Sequence, residues 1–178
     1  MIHKVLSAKQ PWSFLICSGI KDIENRTWKC PQKYIGEMVL IHASAKPENI
    51  KLDIEGQATV KEIKLLTALN YCDENELYSA IIGSVEIVDC VINHPSIWAE
   101  YTRGWPSDPK VIYHWVLANP ILFDKPILNV KGKLGFWDYD LPEEYDKNKQ
   151  KQVLIDTMRG DEQIGLYDDN PKNHGYER

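Results

Sequence analysis

Apolar and polar residues change rhythm several times along the chain, and each rhythm implies an element. Residues 2–8 alternate loosely, as a first strand does. Pro11 suits the first position of a short helix whose apolar stripe is Trp12, Leu15 and Ile16 and which Gly19 closes. A strand from about Lys21 to Trp28 and a stronger one from Ile35 to His42 follow, with Cys30-Pro31-Gln32 marking the turn between them, a pattern that reads as a hairpin or meander. From Pro47 to about Leu69, apolar residues recur near helical spacing (Ile50, Ile54, Ala58, Ile63, Leu65, Leu66, Leu69), and Gly56 interrupts them. One broken helix or two shorter ones are expected there.

The second half is dominated by strand signals. Ala80 to Ile92 is β-branched and alternating, and Val111 to Leu117 is a further strand. The Pro-, Trp- and Gly-rich residues 93–110 between them read as a loop, a candidate functional flap. Asn119 to Tyr139 holds Pro120, Pro126, Gly132 and Gly135 between short apolar pieces, which predicts edge strands and turns. Beyond Leu141 the chain turns polar and acidic, with one short helix around Gln150 to Arg159. Several short strands with few helices predict an α+β protein built on a small β-barrel. The expected division is a domain over residues 1–139 and an acidic C-terminal extension over residues 140–178.

Composition narrows the class. The 178 residues are 43% hydrophobic and 26% charged, ordinary for one globular domain and far from the signature of disorder. Apolar runs such as Met38 to Ile41 are too short to span a bilayer, and no basic region precedes an apolar stretch at the N-terminus. The expectation is a cytoplasmic protein with no membrane partner. Cys17, Cys30, Cys72 and Cys90 form no C-x-x-C pair and read as free thiols, and the histidines lack ligand spacing, so neither a metal nor a cofactor is expected. The net charge of −5 is unevenly spread: residues 140–178 carry six basic against ten acidic residues (−4), whereas residues 1–51 carry eight against four (+4). A local basic face is compatible with that distribution.

Side chains alternate along a strand, so Glu24, Arg26 and Trp28 should share one face, with successive members roughly 6.5–7 Å apart, and Lys21 joins them only through the turn after Gly19. The ordinary explanation of Glu24 and Arg26 is a surface ion pair. His42 and Ser44, also two apart, are secondary candidates for acid–base or hydroxyl chemistry.

Gln10-Pro11-Trp12 followed by Gly19-Ile20-Lys21-Asp22-Ile23-Glu24-Asn25-Arg26 resembles the ASCH signature, whose core is G-x-K-x-x-E-x-R. The resemblance continues through Leu40-Ile41-His42-Ala43-Ser44, Ile82-Gly83-Ser84-Val85, Tyr113-His114-Trp115-Val116-Leu117, Lys125-Pro126-Ile127 and Gly132-Lys133-Leu134-Gly135-Phe136-Trp137, about residues 1–139 in all. It implies a PUA-like barrel whose cleft accepts RNA or a nucleotide, with DNA as a further candidate. The ligand-binding set would then be Gln10, Trp12, Gly19, Lys21, Glu24, Arg26, Trp28, His42 and Ser44. In that picture Lys21 and Arg26 meet phosphate or a base edge, Glu24 orients Arg26 or accepts hydrogen bonds from a base, and Trp12, Trp28 or Trp115 stacks on a base. For Trp115 and Trp137, core packing is the better explanation.

The resemblance also implies an alternative, since some ASCH-like proteins are amidohydrolases on acylated cytidine and others are described as ribonucleases. Lys21 and Glu24 would then be catalytic, with His42 and Ser44 in support. In the amidohydrolase-like branch a Thr works with the motif Lys; here Glu24 stands at that position, which shifts the balance toward binding. A third reading is a protein-interaction domain using the Trp98 to Trp105 loop and the acidic tail.

Overall fold

The computed structural model describes residues 1–49, 60–100 and 111–145. Six strands, β1 (Ile2–Ala8), β2 (Ile23–Arg26), β3 (Glu37–Ala43), β4 (Ala80–Val91), β5 (Tyr113–Ile127) and β6 (Phe136–Asp140), form one mixed sheet in the order β2-β5-β4-β3-β1-β6. Only β1 and β3 run parallel; every other neighbouring pair is antiparallel. Two helices accompany the sheet, α1 (Trp12–Cys17) and α2 (Val60–Glu74). Trp115 of β5 stacks on Phe136 of β6 with centroids 5.5 Å apart, although three strands separate β5 from β6 in the sheet. The sheet is therefore curled into a half-barrel, and the expected α+β architecture with short flanking helices is present.

Both faces of this sheet are covered. Leu6, Val39, Ile41, Ile82 and Trp115 join Phe14, Leu15, Ile16 and Cys17 of α1 in one core, while Val5, Leu40, Ile81, Phe123, Trp137 and Leu141 form a second. That is why Val39 to Ala43 is buried without a break, apolar except for His42, rather than alternating: each residue buries on one side or the other. Helix α1 packs so closely on β4 that a Cβ at Gly83 would lie 2.8 Å from Cys17 Sγ and 2.1 Å from the Ile121 carbonyl oxygen. All four cysteines are free, as expected.

Three expectations need correction. The strands around Glu24 and Leu40 do not form a hairpin: β2 pairs with β5 alone, and a 3-10 turn (Gln32–Tyr34) lies on the way to β3, two strands further across the sheet. Helix α2 runs on to Glu74, and its buried stripe is Leu65, Ala68 and Cys72, while Ile63 and Leu66 are exposed. The helical residues expected over 50–59, the Tyr101 to Lys110 part of the loop with Trp105, and the helix near Gln150 to Arg159 lie outside the described residues.

The third correction concerns β5, which continues through Pro120 and Pro126 instead of breaking. Its register against β4 jumps from Glu86↔Ala118 to Ser84↔Ile121 and from Gly83↔Leu122 to Ile81↔Ile127, so both prolines fall in bulged stretches. β2 reaches only as far as Val116 on the other side, so neither proline has to supply a ladder N–H. Asn119, at φ 48°, takes up the turn of the first bulge. Gly83→Ala is expected to destabilise the fold by about 3 kcal/mol or more, because neither the Ile121 carbonyl nor buried Cys17 can step aside; the denaturant midpoint measures it.

Candidate functional site

Helix α1 delivers Lys21. Its last turn ends in paired reverse hydrogen bonds, Gly19 N to the Ile16 carbonyl (3.0 Å) and Ile20 N to the Leu15 carbonyl (3.0 Å), with Gly19 in the left-handed region at φ 73°. That closure is the glycine-dependent helix stop, and it turns the chain so that Lys21 points inward. Gly19 thus acts through the backbone. Gln10 serves the other end of the helix: its Oε1 accepts from Ser13 Oγ and the Phe14 N–H, and its Nε2 donates to the Leu77 carbonyl at 2.7 Å. Fully buried, Gln10 holds α1 to the turn after α2 and lies away from the cleft.

The motif side chains converge. Lys21, 3% exposed, donates from Nζ to Glu24 Oε2 at 3.0 Å and to the Ile23 carbonyl. Arg26 Nη2 donates to the other carboxylate oxygen, Glu24 Oε1, at 2.9 Å and to the Ser7 carbonyl at 2.9 Å. Burial alone would push the Glu24 carboxyl up, but the adjacent Lys21 and Arg26 charges outweigh it and hold the group below the usual carboxylate range. Glu24 is therefore a buried anion clamped between two cations, rather than half of a surface ion pair. Arg26 Nε is buried with no partner in the structure.

These residues line one wall of a cleft of about 720 Å³. Trp12 lines it as well, half-buried, with Lys21 Nζ 5.8 Å from its ring and buried Trp98 edge-on behind it at 6.3 Å. His42 and Ser44 reach the same cleft from the end of β3. His42 is 2% exposed; its Nε2 sits 2.9 Å from the Val130 carbonyl oxygen, which can only accept, so the proton is on Nε2 and Nδ1 is left as a buried acceptor with no partner. Burial lowers the pKa of the imidazole against the opposing Val130 hydrogen bond, which keeps it neutral near pH 7.

Trp28 is the member of the expected set that strand alternation misplaced. β2 ends at Arg26, and beyond it Trp28 turns to pack edge-on against Trp115 (4.6 Å) and Phe136 (5.9 Å), away from the cleft. Trp115 is fully buried and Trp137 nearly so, which makes both of them core residues. Several cleft residues were not among the expected site residues: Asn25, which donates to the Trp98 carbonyl and accepts from the Glu100 N–H, and the lip formed by Lys131, Gly132 and Lys133. Asn25 lies inside the motif at a variable position, and the lip arrives from a segment more than a hundred residues downstream of Arg26. Among the described residues no group of His, Cys, Asp and Glu is placed to hold a metal, and no helix is long and apolar enough to cross a membrane.

A curled six-stranded half-barrel with a charged cleft beside its first helix makes this a small α+β domain. The ASCH domain model matches residues 6–127, and the chain belongs to that family. Human Activating signal cointegrator 1 is 32% identical over 87 residues, which are 48% of this chain and 14% of that protein, so the chain spans a small part of that relative's length. The crystal structure of ASCH from Zymomonas mobilis aligns with a TM-score of 0.44 and 14% identity, over 83% of this chain and 96% of that one.

Two outcomes follow from the clamp and the histidine. Glu24→Gln strands the buried Lys21 ammonium and should cost about 3–5 kcal/mol of stability at neutral pH, shrinking as pH falls below about 4.5 and the wild-type carboxyl protonates; urea titrations across pH read it. His42 titrates lower in the folded state than the ordinary 6.5, so its contribution is complete above that pH and is lost as pH falls below it. The Tm of wild type should drop in that window relative to His42→Gln, which does not titrate.

Proposed function

We propose that this cleft binds a nucleotide of a nucleic-acid strand, RNA in the first instance. The observation that carries the reading is charge: Lys9, Lys21, Arg26, Lys61, Lys131 and Lys133 line the cleft against Glu24, Glu48 and Glu100, a surplus of three cations in a chain whose net charge is −5. Concentrating positive charge in a concave site on an acidic protein serves an anionic ligand. Among the described residues Lys131 and Lys133 make no ion pair; Lys133 Nζ lies 5.6 Å from the Trp137 ring, a contact that leaves its N–H donors for phosphates at the lip. Arg26, pinned through Nη2, keeps its other donors for a base edge or phosphate, and Trp12 offers an aromatic wall for stacking. Membership in the ASCH family, which is generally linked to RNA binding, supports the same reading.

The hydrolytic alternative requires a nucleophile or base with a free lone pair. Lys21 Nζ donates to a carboxylate and a carbonyl, and both Glu24 oxygens accept from cations, which weighs against either group as the reacting one; His42 Nδ1 does keep an unpartnered lone pair, but it is buried against Gly132.

Short single-stranded RNA should bind at low salt, with affinity falling as salt rises. Lys131→Ala combined with Lys133→Ala should reduce the slope of log K against log[salt] by about 1.4, and Trp12→Ala should weaken binding by about 1–3 kcal/mol. Fluorescence anisotropy measures both. Absence of binding at low salt, or indifference to all three substitutions, defeats the reading, and a clear preference for DNA of the same sequence would change the partner.

A further inference from the structure

Between β5 and β6 the chain forms one lip of the cleft, and that lip is held down from beneath at three points. Val130 N donates to the Ser79 carbonyl at 2.8 Å, His42 Nε2 donates to the Val130 carbonyl at 2.9 Å, and Ser7 Oγ donates to the Lys133 carbonyl at 3.1 Å. Gly132 lies directly on the His42 ring: a Cβ there would sit 2.5 Å from Cε1 and 2.8 Å from Nδ1. Its φ lies outside the left-handed region, so close approach to His42, rather than a special backbone conformation, is what requires glycine. The base of the lip is thus anchored on β1, β3 and Ser79, the residue before β4.

From this anchored base Leu134 projects into solvent, 99% exposed, the most exposed of the large apolar side chains among the described residues. A lone exposed leucine on a surface is ordinary. This one borders the cleft, and the lysines on its N-terminal side, Lys131 and Lys133, line the same cleft without ion pairs among the described residues. An apolar side chain on a pinned loop, beside cations and next to a concave site, suits a ligand that has an apolar stack and a charged backbone together. Nucleic acid has both. A protein partner would need a far larger apolar area than one leucine to hold it.

We propose that Leu134 is a wedge: when one nucleotide of a structured RNA enters the cleft, Leu134 fills the gap left in the base stack while Lys131 and Lys133 take phosphates alongside. The proposal rests on the nucleotide-binding reading of the cleft and adds to it the ligand class, a paired RNA carrying one unpaired nucleotide. Such a nucleotide is already out of the helix, so the unstacking cost that a wedge must offset is smallest there. The anchoring beneath the lip means that little order has to be gained on binding.

Three RNA probes of common sequence separate the outcomes: a short single strand, a fully paired duplex, and the same duplex with a single-nucleotide bulge. Wild type should prefer the bulged duplex over the single strand by about tenfold, which corresponds to about 1.4 kcal/mol. Leu134→Ala removes no buried contact and should bring bulged-duplex affinity down to the single-strand level while leaving single-strand binding within about twofold of wild type. A base analogue beside the bulge whose fluorescence rises on unstacking should brighten with wild type and not with the variant. If single strands bind and the variant keeps the bulge preference, or no preference exists, the wedge is wrong and the cleft reading survives. If no RNA binds, both fall.

Discussion

Taking a carboxylate out of water costs several kcal/mol unless its charge is met on the spot, and the Glu24 clamp is where this domain satisfies that requirement. Each oxygen of Glu24 receives one cation, and each cation carries its own second bond, Lys21 to the Ile23 carbonyl and Arg26 to the Ser7 carbonyl. The result ties three parts of the chain together: the exit of α1, the short edge strand β2, and β1. An edge strand of four residues has little pairing of its own, and β2 meets the sheet only along Tyr113 to Val116. The clamp gives it a second attachment, on the cleft side, and in doing so sets where Arg26 stands.

That arrangement also gives the residues of one motif different duties. Gly19 ends a helix, Lys21 neutralises a buried anion, and Glu24 orients a guanidinium. Arg26 is the member with donor capacity left over, and it faces a cleft whose remaining positive charge comes from lysines on quite different elements. The motif therefore builds one wall of the cleft and leaves on it one guanidinium with donors to spare. His42 extends the same logic to the opposite lip: its ring is held by Val130, covered by Gly132 and kept neutral by burial, so that it supports the 131–135 segment as part of the floor.

Much of this was legible beforehand wherever the deciding physics is local. Gly19 after a short amphipathic helix, the β-branched run of β4, and the charge-bearing Lys21, Glu24 and Arg26 are each properties of a few adjacent residues, and their elements are where the pattern put them. The errors share a different cause. Pro120 and Pro126 suggest breaks because a proline lacks an N–H, yet whether that N–H is needed depends on which strand lies alongside and in what register. A two-residue alternation puts Trp28 beside Arg26 only if β2 continues, and β2 stops pairing at Arg26.

By itself, then, the sequence determined the class of domain, the helix stop that aims Lys21 inward, and the fact that an acid and two bases had to be reconciled within six residues. Only the tertiary structure decided that the acid would be buried between both bases, that β2 would lie on β5 instead of β3, and that Lys131, Gly132 and Lys133 would close the cleft from the far end of the domain. The reason is the range of the forces involved. Backbone propensity and turn chemistry act within a few residues, whereas desolvation and charge pairing depend on what the curled sheet brings within a few ångströms, whatever the distance along the chain.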